Sequence, residues 1–205
     1  MKRCFVYGAG AFYGWQERPR AGDLQIAADA GLRLCRREGI VPDLVIGDFD
    51  SMPAEDAPEG SVRVPAEKDD TDSMLALREG LRRGCREFHL YGMTGGARSD
   101  HTLAALQSLA FLRRQGARGW LYDRGFVYTA IENETLELTR TRDWGIVSLF
   151  SMDGRAERVT LEGLQYPLTD GAIPCDFPLG VSNHFIADRA RITVGAGLLL
   201  VGREI

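Results

Sequence analysis

Residues 88–116, FHLYGMTGGARSDHTLAALQSLAFLRRQG, contain a short apolar run, a glycine-rich loop and a helical pattern in direct succession. The run FHLY predicts a strand because it is short and ends at a glycine. From His101 to Gln115 the apolar residues return at helical spacing, and Gly116 follows where a helix would stop. A strand joined to a helix in this way is the repeating unit of α/β proteins.

The same alternation extends outward through the first 123 residues. Further strands are predicted at CFVYGA, DLVIG, SVRVP and GWLYD, and further helices over 23–38 and 72–83, each followed by a glycine. Strands that alternate with helices form a parallel sheet covered on both faces. Residues 1–123 are therefore expected to form a three-layer α/β domain with a mainly parallel sheet.

After Asp123 the helical period disappears. Seven short strand-like runs follow, and glycine, aspartate or asparagine separates most of them. Strands at this spacing are typical of an antiparallel sandwich or barrel. We expect a second, all-β domain over residues 124–205.

Composition excludes several classes of protein. The chain has 25 basic and 29 acidic residues, a net charge of −4, with 44% hydrophobic and 26% charged residues, as in a soluble globular protein. This balance argues against nucleic-acid binding, and no apolar run approaches the roughly 18 residues of a membrane helix. The apolar run at the start is too short for a signal peptide. The four cysteines show no CxxC spacing, so they are expected to be reduced, in a cytoplasmic protein.

The first acidic cluster is Gly47-Asp48-Phe49-Asp50-Ser51, directly after the apolar run of a predicted strand. Asp48 and Asp50 would point to the same side of an extended chain. Two carboxylates at a strand end suit Mg²⁺, which binds carboxylates together with substrate phosphates. The alternative is ordinary turn chemistry.

The second cluster is Lys68-Asp69-Asp70-Thr71-Asp72, at the start of a predicted helix. Acidic residues and threonine are common helix caps, but three acids in four residues exceed what capping requires. Lys68 is one of only two lysines among the 25 basic residues. A lysine beside clustered carboxylates suggests a metal and a phosphate, although an ion pair that steadies the loop is an alternative.

The third element is the segment Gly92–His101, between a predicted strand and helix. We call its first part, Gly92–Arg98, the glycine-rich loop. Glycines allow the backbone to approach a polyphosphate, and a following helix N-terminus attracts anions. Arg98 could bind phosphate oxygens with both arms of its guanidinium group. The loop matches neither of the common nucleotide-binding fingerprints, and a structural role is the commoner one for His101. Together the three elements indicate Mg²⁺-nucleotide chemistry.

These three stretches, PDLVIGDFDSM, EKDDTDSMLAL and the GxTGG…RxDHTLA segment, resemble the signature motifs of the thiamin pyrophosphokinase family in order and spacing. The stretch from Ala28 to Gly31 also resembles its upstream A-D-x-G element. The resemblance implies an α/β nucleotide-binding domain followed by a β-sandwich that binds thiamine. It implies transfer of a pyrophosphoryl group from ATP to thiamine, Mg²⁺ as cofactor, and a homodimer.

The resemblance also assigns residues. The Mg²⁺ carboxylates would be Asp48, Asp50 and Asp72, with Arg98 and Asp100 beside them as catalytic groups. The Ser182-Asn183 pair would contact thiamine across the dimer interface. The remaining candidates for ATP and substrate binding are Asp29, Lys68, Asp69, Thr71, Gly95 and Gly96.

Several points stay open in the sequence. The family loop usually reads G-x-x-G-G-R-x-D-H, whereas Ala97 here separates Gly96 from Arg98. Asp100 and Asp72 are both candidates for the group that accepts the proton of the alcohol. The aromatic residue beneath thiamine could be Trp144, Tyr166 or Phe185.

Other functions compete with this interpretation. Asp48-Phe49-Asp50 is also a DxD pattern of the kind that holds a nucleotide sugar's metal in glycosyltransferases. A non-catalytic nucleotide or thiamine sensor, and a phosphohydrolase with Asp48 as nucleophile, are weaker alternatives. Neither would need the complete set of acidic residues together with the arginine loop.

Overall fold

The computed structural model describes residues 1–47, 61–63 and 70–205. Four of the candidate site residues, Asp48, Asp50, Lys68 and Asp69, lie outside the described residues. Their assignments therefore stay predictions.

The first half of the chain alternates strands and helices around a parallel sheet. Its elements are β1 (Arg3–Tyr7), β2 (Leu24–Ala28), α1 (Gly31–Arg37), β3 (Leu44–Gly47), β4 (Val62–Arg63), α2 (Asp72–Arg82), β5 (Glu87–Tyr91), α3 (Ser99–Arg114) and β6 (Arg118–Asp123). The strands lie in the order β6-β5-β1-β2-β3-β4, and every neighbouring pair is parallel. The carboxyl ends of β1, β2, β3 and β5 therefore lie along one edge of the sheet.

Helices cover both faces of this sheet, as expected for a three-layer α/β unit. On one face α2 and α3 pack against alternate residues such as Val6, Leu90 and Leu121. On the other face α1 packs against the residues between them, including Phe5 and Tyr7. Because both faces are buried, the central strands are apolar throughout, as in other parallel sheets.

The second half of the chain contains only strands: β7 (Phe126–Glu132), β8 (Thr135–Thr139), β9 (Ile146–Ser151), β10 (Arg155–Glu162), β11 (Leu168–Pro174), β12 (Gly180–His184), β13 (Arg189–Thr193) and β14 (Leu198–Glu204). Four of them extend the first sheet beyond β6 in the order β7-β14-β9-β12, with antiparallel pairing. The other four form a second antiparallel sheet in the order β11-β10-β13-β8.

The two sheets enclose a separate core. Buried residues of the first sheet, such as Val147 and Leu199, pack with Val159 and Ile192 of the second. The predicted α/β unit followed by an antiparallel sandwich is therefore confirmed. The sheet changes from parallel to antiparallel pairing between β6 and β7, where the sequence predicts the domain boundary.

Two elements differ from the sequence expectations. The predicted helix over 23–38 is wrong in its first part, because residues 24–28 form β2 and only 31–37 form α1. The short apolar run LQIAA is compatible with both the helical and the strand period. It forms a strand because it pairs in parallel with β1 and β3. The sequence also missed β11, an edge strand whose residues are mostly polar or partly exposed.

The predicted helix stops are confirmed. Gly39, Gly84 and Gly116 each adopt a left-handed conformation, with φ of +68°, +83° and +69°. This conformation ends a helix at little cost only in glycine and a few other residues. Within the described part of the chain, no helix has the length and apolar character needed to cross a membrane.

Candidate functional site

A cleft of about 360 Å³ opens at the carboxyl edge of the parallel strands, between α2 and α3. We call it the edge cleft. Loops that leave β1 and β5 form its floor, and the first turns of the two helices form its sides. Its lining residues are Gly8, Ala9, Gly10, Thr71, Ser73, Met74, Gly92, Met93, Gly96, Ala97, Arg98, Asp100, His101, Thr102, Ala104, Ala105 and Ser108.

The glycine-rich loop brings Arg98 and Asp100 to the mouth of this cleft. Arg98 donates two hydrogen bonds to the Asp100 carboxylate, at 3.2 Å from Nε and 2.5 Å from Nη2. These bonds lower the pKa of Asp100 and raise that of Arg98. Both side chains are more than 60% exposed, at 69% and 62%, so a bound anion can reach the guanidinium group.

The loop glycines have different surroundings. Gly96 and the additional residue Ala97 line the cleft, whereas Gly95 lies with φ of +68° against Tyr13. The N-terminus of α3 follows directly, and no side chain caps it. The His101 amide interacts with the Asp100 carboxylate, and the other amides of the first turn can bind an anion.

The start of α2 supplies the opposite side of the cleft. The Thr71 hydroxyl accepts a hydrogen bond from the Met74 amide at 3.2 Å, so the capping interpretation is correct for this residue. Thr71 also lines the cleft, and a cap and a ligand contact are compatible for one hydroxyl. Asp72 is the first residue of the helix and is half-buried.

Asp29 lies at the carboxyl end of β2, beside the strand that leads to Asp48. Its φ of +44° is unusual for a residue with a side chain, and its amide donates to the Ile46 carbonyl at 2.7 Å. A Cβ atom at Gly47 would lie 3.0 Å from the Asp29 Cα and Cβ atoms. The Asp29 carboxylate is thus held next to the chain that enters the predicted metal cluster. Gly31 is needed because a Cβ atom there would overlap the Tyr7 carbonyl.

The described residues alone do not complete a metal site. They include no group of three or more His, Cys, Asp or Glu side chains placed to share an ion. Of the predicted metal carboxylates only Asp72 is described. Its chemistry fits Mg²⁺, which prefers carboxylate oxygen, and the other two predicted ligands follow β3 in the sequence.

In the sandwich, Ser182 and Asn183 lie on β12, at an irregularity in its pairing with β9. Ser182 has φ of +59°, is exposed, and donates its amide to the Ser148 hydroxyl at 3.1 Å. Asn183 is buried, and its Oδ1 accepts from the amides of Tyr166 and His184, both at 3.0 Å. Its Nδ2 donates to the Tyr166 carbonyl at 2.8 Å. Asn183 therefore joins Tyr166 to β12, and its direct contact with thiamine stays a prediction.

The residues around Asn183 form a group that we call the aromatic cluster: Trp144, Tyr166 and His184. The ring centroids of Trp144 and His184 are 5.3 Å apart, and those of Tyr166 and His184 are 6.2 Å apart. Trp144 is 74% exposed and Tyr166 64% exposed. Phe185, the third sequence candidate, is 4% exposed and belongs to the sandwich core, so it offers no free ring face.

Gly8, Ala9 and Gly10 line the edge cleft next to the glycine-rich loop, and none of them is among the predicted site residues. The available signal is the pair Gly8 and Gly10, at the end of the predicted strand CFVYGA. Glycines in the same position after FHLY predict a phosphate loop.

Two family models match this chain in succession. The model described as "Thiamin pyrophosphokinase, catalytic domain" covers residues 19–121, and "Thiamin pyrophosphokinase, vitamin B1 binding domain" covers residues 133–199. The first range contains most of the edge cleft. The second contains the aromatic cluster with Ser182 and Asn183.

Individual relatives agree with these matches. The thiamine pyrophosphokinase of Bacillus subtilis (strain 168) is 27% identical over 187 residues, 88% of this chain and 87% of the relative. Its crystal structure superposes with a TM-score of 0.89 at 26% identity, covering 99% of both chains. A thiamin pyrophosphokinase family protein from Enterococcus faecalis gives a TM-score of 0.84 at 28% identity, covering 100% of this chain and 99% of that one.

Proposed function

Since this chain belongs to the thiamin pyrophosphokinase family, we propose that it is an Mg²⁺-dependent enzyme that transfers a pyrophosphoryl group from ATP to thiamine. The products are thiamine diphosphate and AMP. The observation that carries this proposal is the edge cleft, in which the glycine-rich loop, the uncapped start of α3 and the exposed Arg98 meet.

The cleft has the chemistry that a nucleotide needs. Small and apolar residues such as Met74, Met93 and Ala105 line its inner part and suit a planar base. Backbone amides and Arg98 lie toward the mouth and suit phosphate oxygens. We propose that a phosphate group of ATP displaces the Asp100 carboxylate and binds the guanidinium group of Arg98. The exchange costs little because an ion pair that is open to solvent contributes little to stability.

Mg²⁺ fits the carboxylates predicted at this edge, which are Asp48, Asp50 and Asp72. When bound there, the ion would neutralise phosphate charge and hold the polyphosphate in one orientation. Asp29 lies beside the same strand end and Asp69 precedes α2, so both are proposed to support this site. Lys68 is proposed to contact a phosphate, because it adds a compact positive charge to the same acidic segment.

The aromatic cluster is the proposed thiamine platform. Trp144 and Tyr166 present exposed rings, which can stack on the flat and positively charged ring system of thiamine. Asn183 fixes Tyr166 and His184, and Ser182 is proposed to contact the substrate itself. As in the family, we propose that two subunits form a homodimer in which thiamine binds between them.

The reaction then consists mainly of positioning. The hydroxyl oxygen of thiamine bonds to the β-phosphorus of ATP, the bond from that phosphorus to the α–β bridging oxygen breaks, and AMP leaves. The proton of the hydroxyl passes to a carboxylate, for which Asp100 and Asp72 are the candidates. Arg98 neutralises charge that develops on the phosphate oxygens.

One assay tests this proposal directly. The protein is incubated with Mg-ATP and thiamine, and nucleotides and thiamine esters are separated by chromatography. We expect AMP and thiamine diphosphate in equal amounts, and no AMP without thiamine. Formation of ADP, or AMP release that does not require thiamine, would contradict the proposal.

A pair of matched variants ties the activity to the cleft. Asp72→Asn should lower turnover by at least about tenfold with an unchanged melting temperature, because it removes a charged metal ligand. Glu162→Gln removes one carboxylate from an exposed position on β10 and should leave turnover unchanged. If Asp72→Asn turns over at the wild-type rate at saturating Mg²⁺, Asp72 is not a ligand of the metal.

A further inference from the structure

The segment that follows β1, residues 8–17, lies before residues 19–121, which match the catalytic-domain model. We call this segment the strap. It runs from the edge cleft, which Gly8, Ala9 and Gly10 line, along the face of the sheet that carries α1.

The strap lies alongside the glycine-rich loop and is hydrogen-bonded to its backbone. The amide of Gly8 donates to the Tyr91 carbonyl at 2.8 Å, and that of Gly10 to the Gly92 carbonyl at 2.5 Å. The amide of Ala11 donates to the Thr94 carbonyl at 2.7 Å. The first bond reaches the last residue of β5, and the other two hold the strap and the glycine-rich loop together beyond the end of the sheet.

The two backbones approach so closely that side chains are excluded. A Cβ atom at Gly8 would lie 2.6 Å from the Gly92 carbonyl oxygen, and one at Gly92 would lie 2.6 Å from the Gly8 carbonyl oxygen. A Cβ atom at Gly10 would overlap the Thr94 carbonyl. The glycines after β1 and β5 are therefore needed for contact between the loops, in addition to any contact with phosphate.

Tyr13 covers the next turn of the glycine-rich loop. A Cβ atom at Gly95 would overlap the Tyr13 hydroxyl, and it would lie 3.1 Å from Tyr13 Cζ and 2.9 Å from Ala11 Cβ. The hydroxyl end of the Tyr13 side chain thus lies next to Gly95, one residue before Gly96, which lines the cleft. Among the described residues, none forms a hydrogen bond with the Tyr13 hydroxyl, so the contact is one of packing.

The far end of the strap is fixed as well. The Tyr91 hydroxyl accepts from the Glu17 amide at 2.9 Å and donates to the Glu17 carbonyl at 2.7 Å. The Trp15 ring packs on Tyr91 with 5.1 Å between centroids. The backbone on both sides of Tyr13 is therefore held in place, at Ala11 by the glycine-rich loop and at Glu17 by Tyr91.

We infer that the strap forms the second wall of the nucleotide site and that Tyr13 is a positioning residue for the glycine-rich loop. By holding Gly95, it keeps Gly96, Ala97 and Arg98 turned toward the phosphates. The inference rests on the proposed function for the identity of the nucleotide. Its effect should be confined to ATP, because the aromatic cluster is not part of the strap.

Two variants of Tyr13, one variant of Gly95 and one control variant test this role. For each of them the dissociation constant of Mg-ATP is measured by titration calorimetry. Tyr13→Ala should raise this constant about tenfold, whereas Tyr13→Phe keeps the ring and should stay within about twofold of wild type. Gly95→Ala should also weaken Mg-ATP binding, because the new methyl group displaces Tyr13. Gly154→Ala is its control: it has a similar φ of +72° but open space around it, and should not change the dissociation constant.

Steady-state kinetics separate positioning from a general loss of structure. For Tyr13→Ala we expect a raised KM for ATP, an unchanged KM for thiamine, and a melting temperature close to that of wild type. An unchanged dissociation constant for Mg-ATP, or an equal rise in both KM values, would overturn the inference. If the wild-type protein binds Mg-ATP but does not act on thiamine, the proposed function fails, and the binding comparison still decides the role of Tyr13.

Discussion

At the amino ends of β1 and β5, which we call the covered end, Arg3 forms ion pairs that are largely shielded from solvent. At the carboxyl edge of the same sheet, which we call the open end, the corresponding charged side chains are exposed to solvent. Arg3 bonds to Asp23 and Glu17, and the Arg3 and Asp23 side chains are only 12% and 11% exposed. Arg98 and Asp100 form a similar pair at the edge cleft, but both are more than half exposed. The contrast lies in exposure, because the residue types are the same.

Several polar groups at the covered end have partners within the protein. His89 is buried and bonds to the Tyr122 hydroxyl at 2.9 Å and to Glu87 at 3.0 Å. Burial alone would raise the pKa of Asp23, but hydrogen bonds from Arg3 and from the Arg20 amide lower it. Groups of this kind stabilise the fold, since removal of one partner leaves the other without compensation. The exposed pair can exchange partners at little cost, which is what a binding site requires.

The largest expected effect is on activity at the open end. Arg98→Gln should lower kcat/KM by at least about a hundredfold, because it removes the proposed contact with phosphate. Its free energy of unfolding, measured in urea, should stay that of wild type, because the Arg98–Asp100 pair is open to solvent. Arg114→Gln removes an arginine from another exposed ion pair, with Asp153, and should leave kcat/KM unchanged. Equal losses of activity in both variants would contradict the assignment.

The next effect is on stability at the covered end. Arg3→Met should lower the free energy of unfolding by about 2 kcal/mol, since Asp23 and Glu17 would lose their buried cation. The kcat/KM of the folded protein should not change. Urea unfolding and initial rates on the same preparation provide both numbers. A stable variant with impaired catalysis would show that the two ends are not separate in function.

We expect a smaller effect of low pH on the free energy of unfolding. Burial lowers the pKa of His89 below its usual value near 6.5, despite its bond to Glu87. In the unfolded chain this histidine takes up a proton first as pH falls. Its contribution to stability is therefore complete above about pH 6.5 and is lost as pH falls toward the lower pKa of the folded state. The slope is limited to about 1.4 kcal/mol per pH unit for one proton.

His89→Gln provides the comparison for this pH dependence. Urea unfolding is measured at several values between pH 5 and pH 8, in wild type and variant. The variant should be less stable at neutral pH but should lose the part of the slope that His89 contributes. Identical slopes in the two proteins would show that His89 is not the group responsible.

The sequence could predict those parts of the fold that depend on local pattern. Local signals predict the strand-loop-helix unit at residues 88–116 and the helix that begins at Asp72. These signals are hydrophobic periodicity, helix caps and glycine stops, which lie close together in the chain. LQIAA could not be assigned in this way, because its strand conformation depends on pairing with β1 and β3.

The candidate site shows the same limit. The motifs predicted Arg98, Asp100 and Thr71, and the structure brings these three to one cleft. Tyr13 contacts Gly95, which is distant from it in sequence. No local signal distinguishes Tyr13 from an ordinary loop residue, so only the folded structure brings it to notice.

Hydrogen–deuterium exchange with and without Mg-ATP tests most directly whether the nucleotide binds at the open end. We predict slower exchange of the amides in residues 8–11 and 92–98, which form the wall and loop of the edge cleft. Exchange in residues 18–23, beside Arg3 at the covered end, should not change. Protection of residues 18–23 without protection of residues 92–98 would contradict the assignment of the nucleotide site to the carboxyl edge.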